Sequence, residues 1–289
     1  MADDARFQPV EYAQNAVLRG LIGAMLLLPY RWRVPFCGWV FSRLLAPVAG
    51  WDARVRRNLA LIWPDLPQAE VRRMLRAVPA NVGRTLIELY SPKAFKAQLK
   101  DTPVRGVGLD AILQAQSEGR GVFLVSGHFG NYGVAAAVMT ARGHPVAALY
   151  NPMANRYFNA HYTAAIAAIS TPLFARGRRG LAGMVQHIRK GGLIGILIDQ
   201  HMRRGAALQF MGHRAMTALS AADLALKYNC LLVPVYGLRL PDGISFELII
   251  EAPIAHSTAE AMTQALNDSL EAQVRAHPDQ WFWIHRRWK

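Results

Sequence analysis

The chain has 289 residues, long for one domain but within reach of a single α/β unit with a sizeable core. Apolar residues make up 52%, above the usual ~45–50%, and 33 Lys and Arg against 19 Asp and Glu leave a net charge of +14. That balance points to an anionic partner, nucleic acid or a membrane surface, while Cys37 and Cys230, far apart and without CxxC spacing, suggest neither a disulfide framework nor a zinc site.

Residues 10–28 are the first expected element. Their centre is apolar apart from Arg19, and Pro29 follows, then Arg31 and Arg33 interleaved with Tyr30 and Trp32. The run is shorter than the ~20 apolar residues that span a bilayer, and it carries a charge. A signal peptide fits poorly, because acidic residues precede the run and no Ala-x-Ala site follows it. The pattern suits an interfacial or shallowly inserted anchor, with Arg and Trp at headgroup level; the alternative is an ordinary buried first helix. Residues 36–49 are apolar but too short to span alone. Arg54, Arg56 and Arg57 cluster on an expected helix that ends near Pro64, and residues 68–90 read as one or two more helices. Residues 1–103 are therefore expected to be a helical, membrane-associated portion.

From residue 104 the pattern changes. Short apolar runs at residues 121–126, 145–150, 193–198, 231–236 and 244–250 read as strands. The first four are continuous rather than alternating, as in strands buried on both faces. Helical stretches at residues 134–142, 154–168, 179–190 and 218–228 lie between them. The fold class expected is α/β, an open mixed sheet with helices on both faces. No repeat, low-complexity tract or linker is visible, so residues 1–103 and the core at 104–289 are read as one integrated domain.

The segment most able to carry chemistry is Ser126-Gly127-His128-Phe129-Gly130-Asn131-Tyr132-Gly133. It follows an expected buried strand and precedes an expected helix, at the strand end where open α/β sheets gather ligands. A histidine there is placed for general base work, though a hydrogen-bonded structural histidine on a turn is the alternative. Gly127 and Gly130 permit a tight turn and close approach of substrate to backbone. Free N–H groups at the helix start would stabilise an oxyanion.

The segment resembles the HxxxxD/E block of lipid A lauroyl and myristoyl acyltransferases. Further similarities follow in order: Arg56-Arg57-Asn58-Leu59 with Trp63-Pro64, then Leu197-Ile198-Asp199-Gln200, then Phe210-Met211-Gly212-His213-Arg214-Ala215-Met216-Thr217. Val233-Pro234-Val235 and the terminal Gln280-Trp281-Phe282-Trp283-Ile284-His285-Arg286-Arg287-Trp288-Lys289 complete the series. The resemblance implies acyl transfer from a thioester, acyl-carrier protein or acyl-CoA, to a hydroxyl of a membrane lipid. His128 would take the hydroxyl proton as the oxygen attacks the thioester carbonyl, and an acidic residue five positions on would orient the imidazole. That scheme requires neither a metal nor another cofactor. It also implies the bacterial inner membrane, at its cytoplasmic face.

Here the fifth position is Gly133, which offers no carboxylate. The expectation is impaired activity, because general acid–base assistance is worth ~10²–10⁴-fold. Asp199, at the end of another expected strand, is the candidate substitute. Expected substrate-binding residues are Gly130, Asn131, Arg176, Arg178, Arg179, Gln200 and Arg203, the arginines for phosphates of a headgroup or of the donor's prosthetic arm. His201 and His213 lack compact ligand spacing, so no metal is expected. The terminal aromatic and basic run suits either a membrane interface or a packed core. A lipid A precursor is the acceptor implied first; a lyso-aminolipid or lysophospholipid acceptor, or a catalytically silent lipid-binding role, are the alternatives. The expected partners are this lipid, the acyl donor and an anionic membrane surface. Nucleic acid is not expected, since no RNP, helix-turn-helix or zinc-finger signature accompanies the charge.

Overall fold

A computed structural model describes residues 7–289; residues 1–6 of the expected helical portion lie outside the described residues. Six helices come first. Helix α1 (Pro9–Leu26) starts on proline, whose missing N–H would be unsatisfied there in any case. Helix α2 (Tyr30–Val40) runs through one π-helical turn, Phe41–Leu45, into α3 (Ala46–Val48). Then come α4 (Trp51–Ile62), α5 (Gln68–Leu89) and α6 (Pro92–Gln98). Helices α2 and α5 pack through glycines. A Cβ on Gly83 would sit 2.7 Å from the Cys37 carbonyl oxygen, and one on Gly38 2.9 Å from that of Ala80.

The sheet portion runs β1 (Val104–Arg105), α7 (Gly108–Ser117), β2 (Val122–Ser126), α8 (Gly133–Ala141), β3 (Val146–Tyr150), α9 (Arg156–Ala167), β4 (Leu173–Ala175), α10 (Arg178–Ile188) and β5 (Leu193–Leu197). A hairpin of β6 (Ala206–Phe210) and β7 (His213–Thr217) precedes α11 (Ser220–Tyr228), β8 (Leu231–Arg239), β9 (Phe246–Ile250) and α12 (Ala259–Ala276). Seven strands form one sheet in the order β1-β9-β8-β2-β5-β3-β4, with every pair parallel except β8 with β9.

Helices cover both faces, as the apolar strand runs require. On one side Phe95, Ile112, Val138 and Met139 pack on Leu124, Val233 and Leu248. On the other Met184, Ile188, Ala222, Met262 and Leu266 pack on Phe123, Ile194 and Leu232. A third cluster joins the N-terminal helices to the rest: Val55, Leu59, Met74 and Val78 share it with Phe129, Phe210, Trp281 and Trp283.

The structure corrects one expectation and decides between two pairs of alternatives. Strand β2 is buried throughout, but the second halves of β3 and β5 are not, because they wall a cavity. Helix α1 is not an ordinary buried helix: Asn15 is its one buried residue among those described, and Val17 and Leu21 face outward at 62% exposure each. The terminal aromatic run lies in the core, with Trp281, Trp283 and Arg287 almost wholly buried. At ~150–250 Å² per indole and ~25 cal/mol per Å², burying two of them contributes on the order of 10 kcal/mol, an upper bound that headgroup contacts would not match. No helix among the described residues is long and apolar enough to cross a membrane.

Candidate active site

The site is built by register. Strands β2 and β5 are parallel neighbours, and Ser126 pairs with Leu197 at their carboxyl ends. The ladder continues one step further, with the Ile198 N–H donating to the Ser126 carbonyl at 3.1 Å. His128 and Asp199 each lie two residues beyond that last pair, so the pairing brings them level. Asp199 is completely buried. Its Oδ1 lies 2.8 Å from Nδ1 of His128, and its Oδ2 accepts the His128 backbone N–H at 2.7 Å. The same Oδ2 accepts the Trp281 indole N–H at 2.9 Å. Gly133 contributes no side chain, so the carboxylate on the imidazole comes from β5 and not from the segment after His128.

Burial by itself raises the Asp199 carboxyl, but the His128 imidazole and the N–H groups around it hold it well below the usual carboxylate range. It is therefore ionised at neutral pH. An ionised carboxylate can only accept, so the Nδ1 proton of neutral His128 points to Asp199 and Nε2 keeps its lone pair.

The tail after α12 closes the site. The Phe282 N–H donates to the His128 carbonyl at 3.0 Å, and Phe129 bridges Trp281 in antiparallel fashion. Nε2 of His285 lies 3.2 Å from His128 Nδ1, with the ring centroids 4.7 Å apart. Burial pushes His285 down to about 4, against the attraction of Asp199, so it is neutral at pH 7. His128, Asp199 and His285 bring three potential metal-ligand atoms within 4.8 Å of one another. Arg287, also wholly buried, donates to the Met216 carbonyl at 2.9 Å and to Thr217 Oγ1 at 2.6 Å.

The turn between His128 and α8 is clamped from behind. Gly130 sits at φ +52, and a Cβ there would lie 1.9 Å from the Gly237 carbonyl oxygen, so only glycine fits. Its N–H donates to the Gln280 carbonyl at 2.9 Å, and its carbonyl accepts from Asn81 at 2.9 Å and Thr85 at 3.2 Å. Asn131 is buried; its amide donates to Glu88 at 2.8 Å and its Oδ1 accepts the Gly133 N–H at 2.8 Å. Glu88 is paired with Arg239 at 2.6 and 2.7 Å, both side chains buried.

A cavity of about 440 Å³ opens beside His128. Leu124, Phe95, Val146, Ile166, Ile169 and Ile196 supply apolar wall, and Ala135, Ala136, Ala147 and Gly195 keep room between α8 and the strands. Tyr132 and Gly133 line it too, with the Tyr132 ring 5.5 Å from that of His128. Among the residues singled out in the sequence, Asn131, Arg176 and Gln200 also line it. Gly130 lies behind the turn with both backbone groups engaged. Arg178, Arg179 and Arg203 are exposed on the surface and are not part of the cavity lining. Sequence reading missed Glu88, Trp281 and His285. His285 lies in the terminal run, but nothing local marks it as returning to His128.

An imidazole held by a buried carboxylate beside an apolar cavity, at the carboxyl ends of parallel strands, has the geometry that general-base chemistry on a ligand with an apolar chain requires. The chain belongs to the bacterial lipid A biosynthesis acyltransferase family, whose model matches residues 3–289, and it is an acyltransferase. It is 25% identical to the lipid A biosynthesis lauroyltransferase of Escherichia coli (strain K12), over 81% of this chain and 78% of that protein. Identity to the palmitoleoyltransferase of the same strain is 26%, over 82% and 78%. Similarity extends to a phosphatidylinositol mannoside acyltransferase of Mycolicibacterium smegmatis (strain ATCC 700084 / mc(2)155), 23% identical over 83% and 80%.

Proposed function

We propose that this enzyme moves a fatty acyl chain from an acyl thioester, of acyl-carrier protein or coenzyme A, to a hydroxyl of a lipid A-type acceptor at the cytoplasmic face of the bacterial inner membrane. His128 is the general base and Asp199 its orienting carboxylate. The observation that carries the reading is the hydrogen bond of 2.8 Å between His128 Nδ1 and buried Asp199. It leaves Nε2 to take the acceptor's hydroxyl proton as the oxygen attacks the thioester carbonyl. The thiolate leaves, and the proton held on His128 returns to it. Asp199 stabilises the imidazolium that forms between these steps. The apolar cavity suits the acyl chain, and α8 begins at the cavity with the positive end of its dipole, where the carbonyl oxygen gains charge. The membrane reading is supported by the apolar side chains that α1, α2 and the turn between them leave outside, including Leu21, Leu27, Trp32 and Trp39.

In this reading Gly133 does not disable the enzyme. A Cβ on Gly133 would meet Asn131 Oδ1 at 3.1 Å and nothing else closer than 3.7 Å, so Asn131 must give by a few tenths of an ångström to admit one, and circular dichroism checks that Gly133→Glu is folded. The test is transfer from radiolabelled acyl-carrier protein to a lipid A precursor. Asp199→Asn and His128→Ala are each expected to lower kcat by about 10²–10⁴-fold, and Gly133→Glu to change it by less than about tenfold. A large gain from Gly133→Glu, with Asp199→Asn near wild type, would overturn the assignment of Asp199.

A further inference from the structure

Away from the acyl-transfer centre, an open groove of about 580 Å³ runs between the α2–π-turn segment and α5. One wall carries Trp39 and Arg43; the other carries Arg72, Arg73, Arg76 and Arg84. Arg73 is compensated by Glu70 at 2.8 Å and Asp279 at 3.8 Å. No carboxylate within salt-bridge distance pairs with Arg43, Arg72, Arg76 or Arg84 among the described residues. Nε of Arg84 is buried without a hydrogen-bond partner, and burial together with nearby Arg239 pulls that guanidinium below its ordinary range. Arg43, Arg72 and Arg76 thus face one groove unpaired, with Arg84, partly offset by the charges of Glu88 and Asp279, beside them, and these like charges repel each other. A phosphate would relieve that repulsion and satisfy their forked donors.

The groove is also continuous with the apolar outer surface. Trp39 lines it at 51% exposure and stacks on Phe36, 44% exposed, at 6.0 Å and 9°. Leu44 and Leu45, on the same π turn as Arg43, are exposed as well. Cations beside outward-facing aromatics and leucines match a lipid, whose phosphate and acyl chains lie side by side, better than a soluble anion.

We propose that this groove binds the phosphate of an anionic membrane lipid, as a site separate from the acyl-transfer centre that seats the enzyme on the bilayer. The proposal rests on the reading that the acceptor is met at a membrane, but its test needs no turnover. Binding to phosphatidylcholine vesicles, with and without phosphatidylglycerol, is measured by sedimentation at ~0.15 M salt. Arg72→Gln/Arg76→Gln is compared with Arg189→Gln/Lys190→Gln, which removes the same charge from exposed positions at the far end of α10. Circular dichroism confirms that each variant is folded.

The groove variant is expected to bind phosphatidylglycerol vesicles about tenfold more weakly or worse, at ~1 kcal/mol per cation near the surface. The control should stay within about twofold, since neither Arg189 nor Lys190 contributes to the groove lining. Equal losses in the two variants would overturn the proposal in favour of diffuse attraction. Release from vesicles by millimolar glycerol phosphate would overturn it in favour of a soluble phosphate ligand. Unchanged vesicle binding with lost affinity for acyl-carrier protein would overturn it in favour of carrier docking. Vesicle binding that depends on the groove, in a protein that transfers no acyl chain, would leave the proposal standing and reject the proposed function alone.

Discussion

His285 is the residue whose environment departs furthest from what a surface histidine meets. Its imidazole stays neutral down to about pH 4 in the folded chain, against 6.5 ordinarily, with burial as the main cause. Between those values the unfolded chain binds a proton that the folded chain does not. This contribution to stability is therefore complete above pH 6.5 and is lost as pH falls towards 4. Going from pH 7 to pH 5, the wild type should lose about 2 kcal/mol more than His285→Gln, measured by urea unfolding. Asp199 works in a lower window: its depressed carboxyl contributes fully above its ordinary 3.8 and loses its contribution as pH drops further. Equal losses in wild type and His285→Gln at pH 5 would mean that His285 is protonated in the fold.

Elements, rather than single side chains, set the geometry around His128. Strands β2 and β5 supply the pair, α5 and β8 brace the turn, and the tail covers it. The brace depends on the buried Glu88–Arg239 pair, since Glu88 also holds Asn131 and Arg239 donates to Asn81 at 2.9 Å. Removing one partner leaves a buried charge alone, so Glu88→Ala is expected to destabilise the protein by about 3–5 kcal/mol, and Glu88→Met with Arg239→Met to recover most of that. Urea unfolding of the single and double variants checks both. This is also the scale at which the sequence was only partly legible. Five strands and four intervening helices follow from apolar runs and their spacing, and so does the placement of His128 and Asp199 at strand ends. Their adjacency does not, because it requires β2 to pair with β5 across a gap filled by α8, β3, α9, β4 and α10. Glu88 was invisible for the same reason: a glutamate in an amphipathic helix reads as solvated until Arg239 arrives from 151 residues away. The hairpin of β6 and β7 is half exposed and carries no continuous apolar run, so periodicity gave it no signal.

At the scale of the whole molecule, a basic chain gathers many of its exposed large apolar residues on α1, α2 and the π turn, the last two of which border the arginine groove. If those residues enter the headgroup region, the protein should remain on membranes through a high-salt wash and leave with mild detergent; complete release by salt would rule out insertion. The tail has a consequence of a different kind, in time. His128 waits for His285, 157 residues further along. At translation rates of ~5–20 residues per second that interval lasts roughly 8–30 s. In its last part, once β9 has followed Asp199 out, the sheet can form while Asp199 still lacks Trp281 and the imidazole lacks its cover. A nascent chain of this kind carries a base that is present before the residues that cover it.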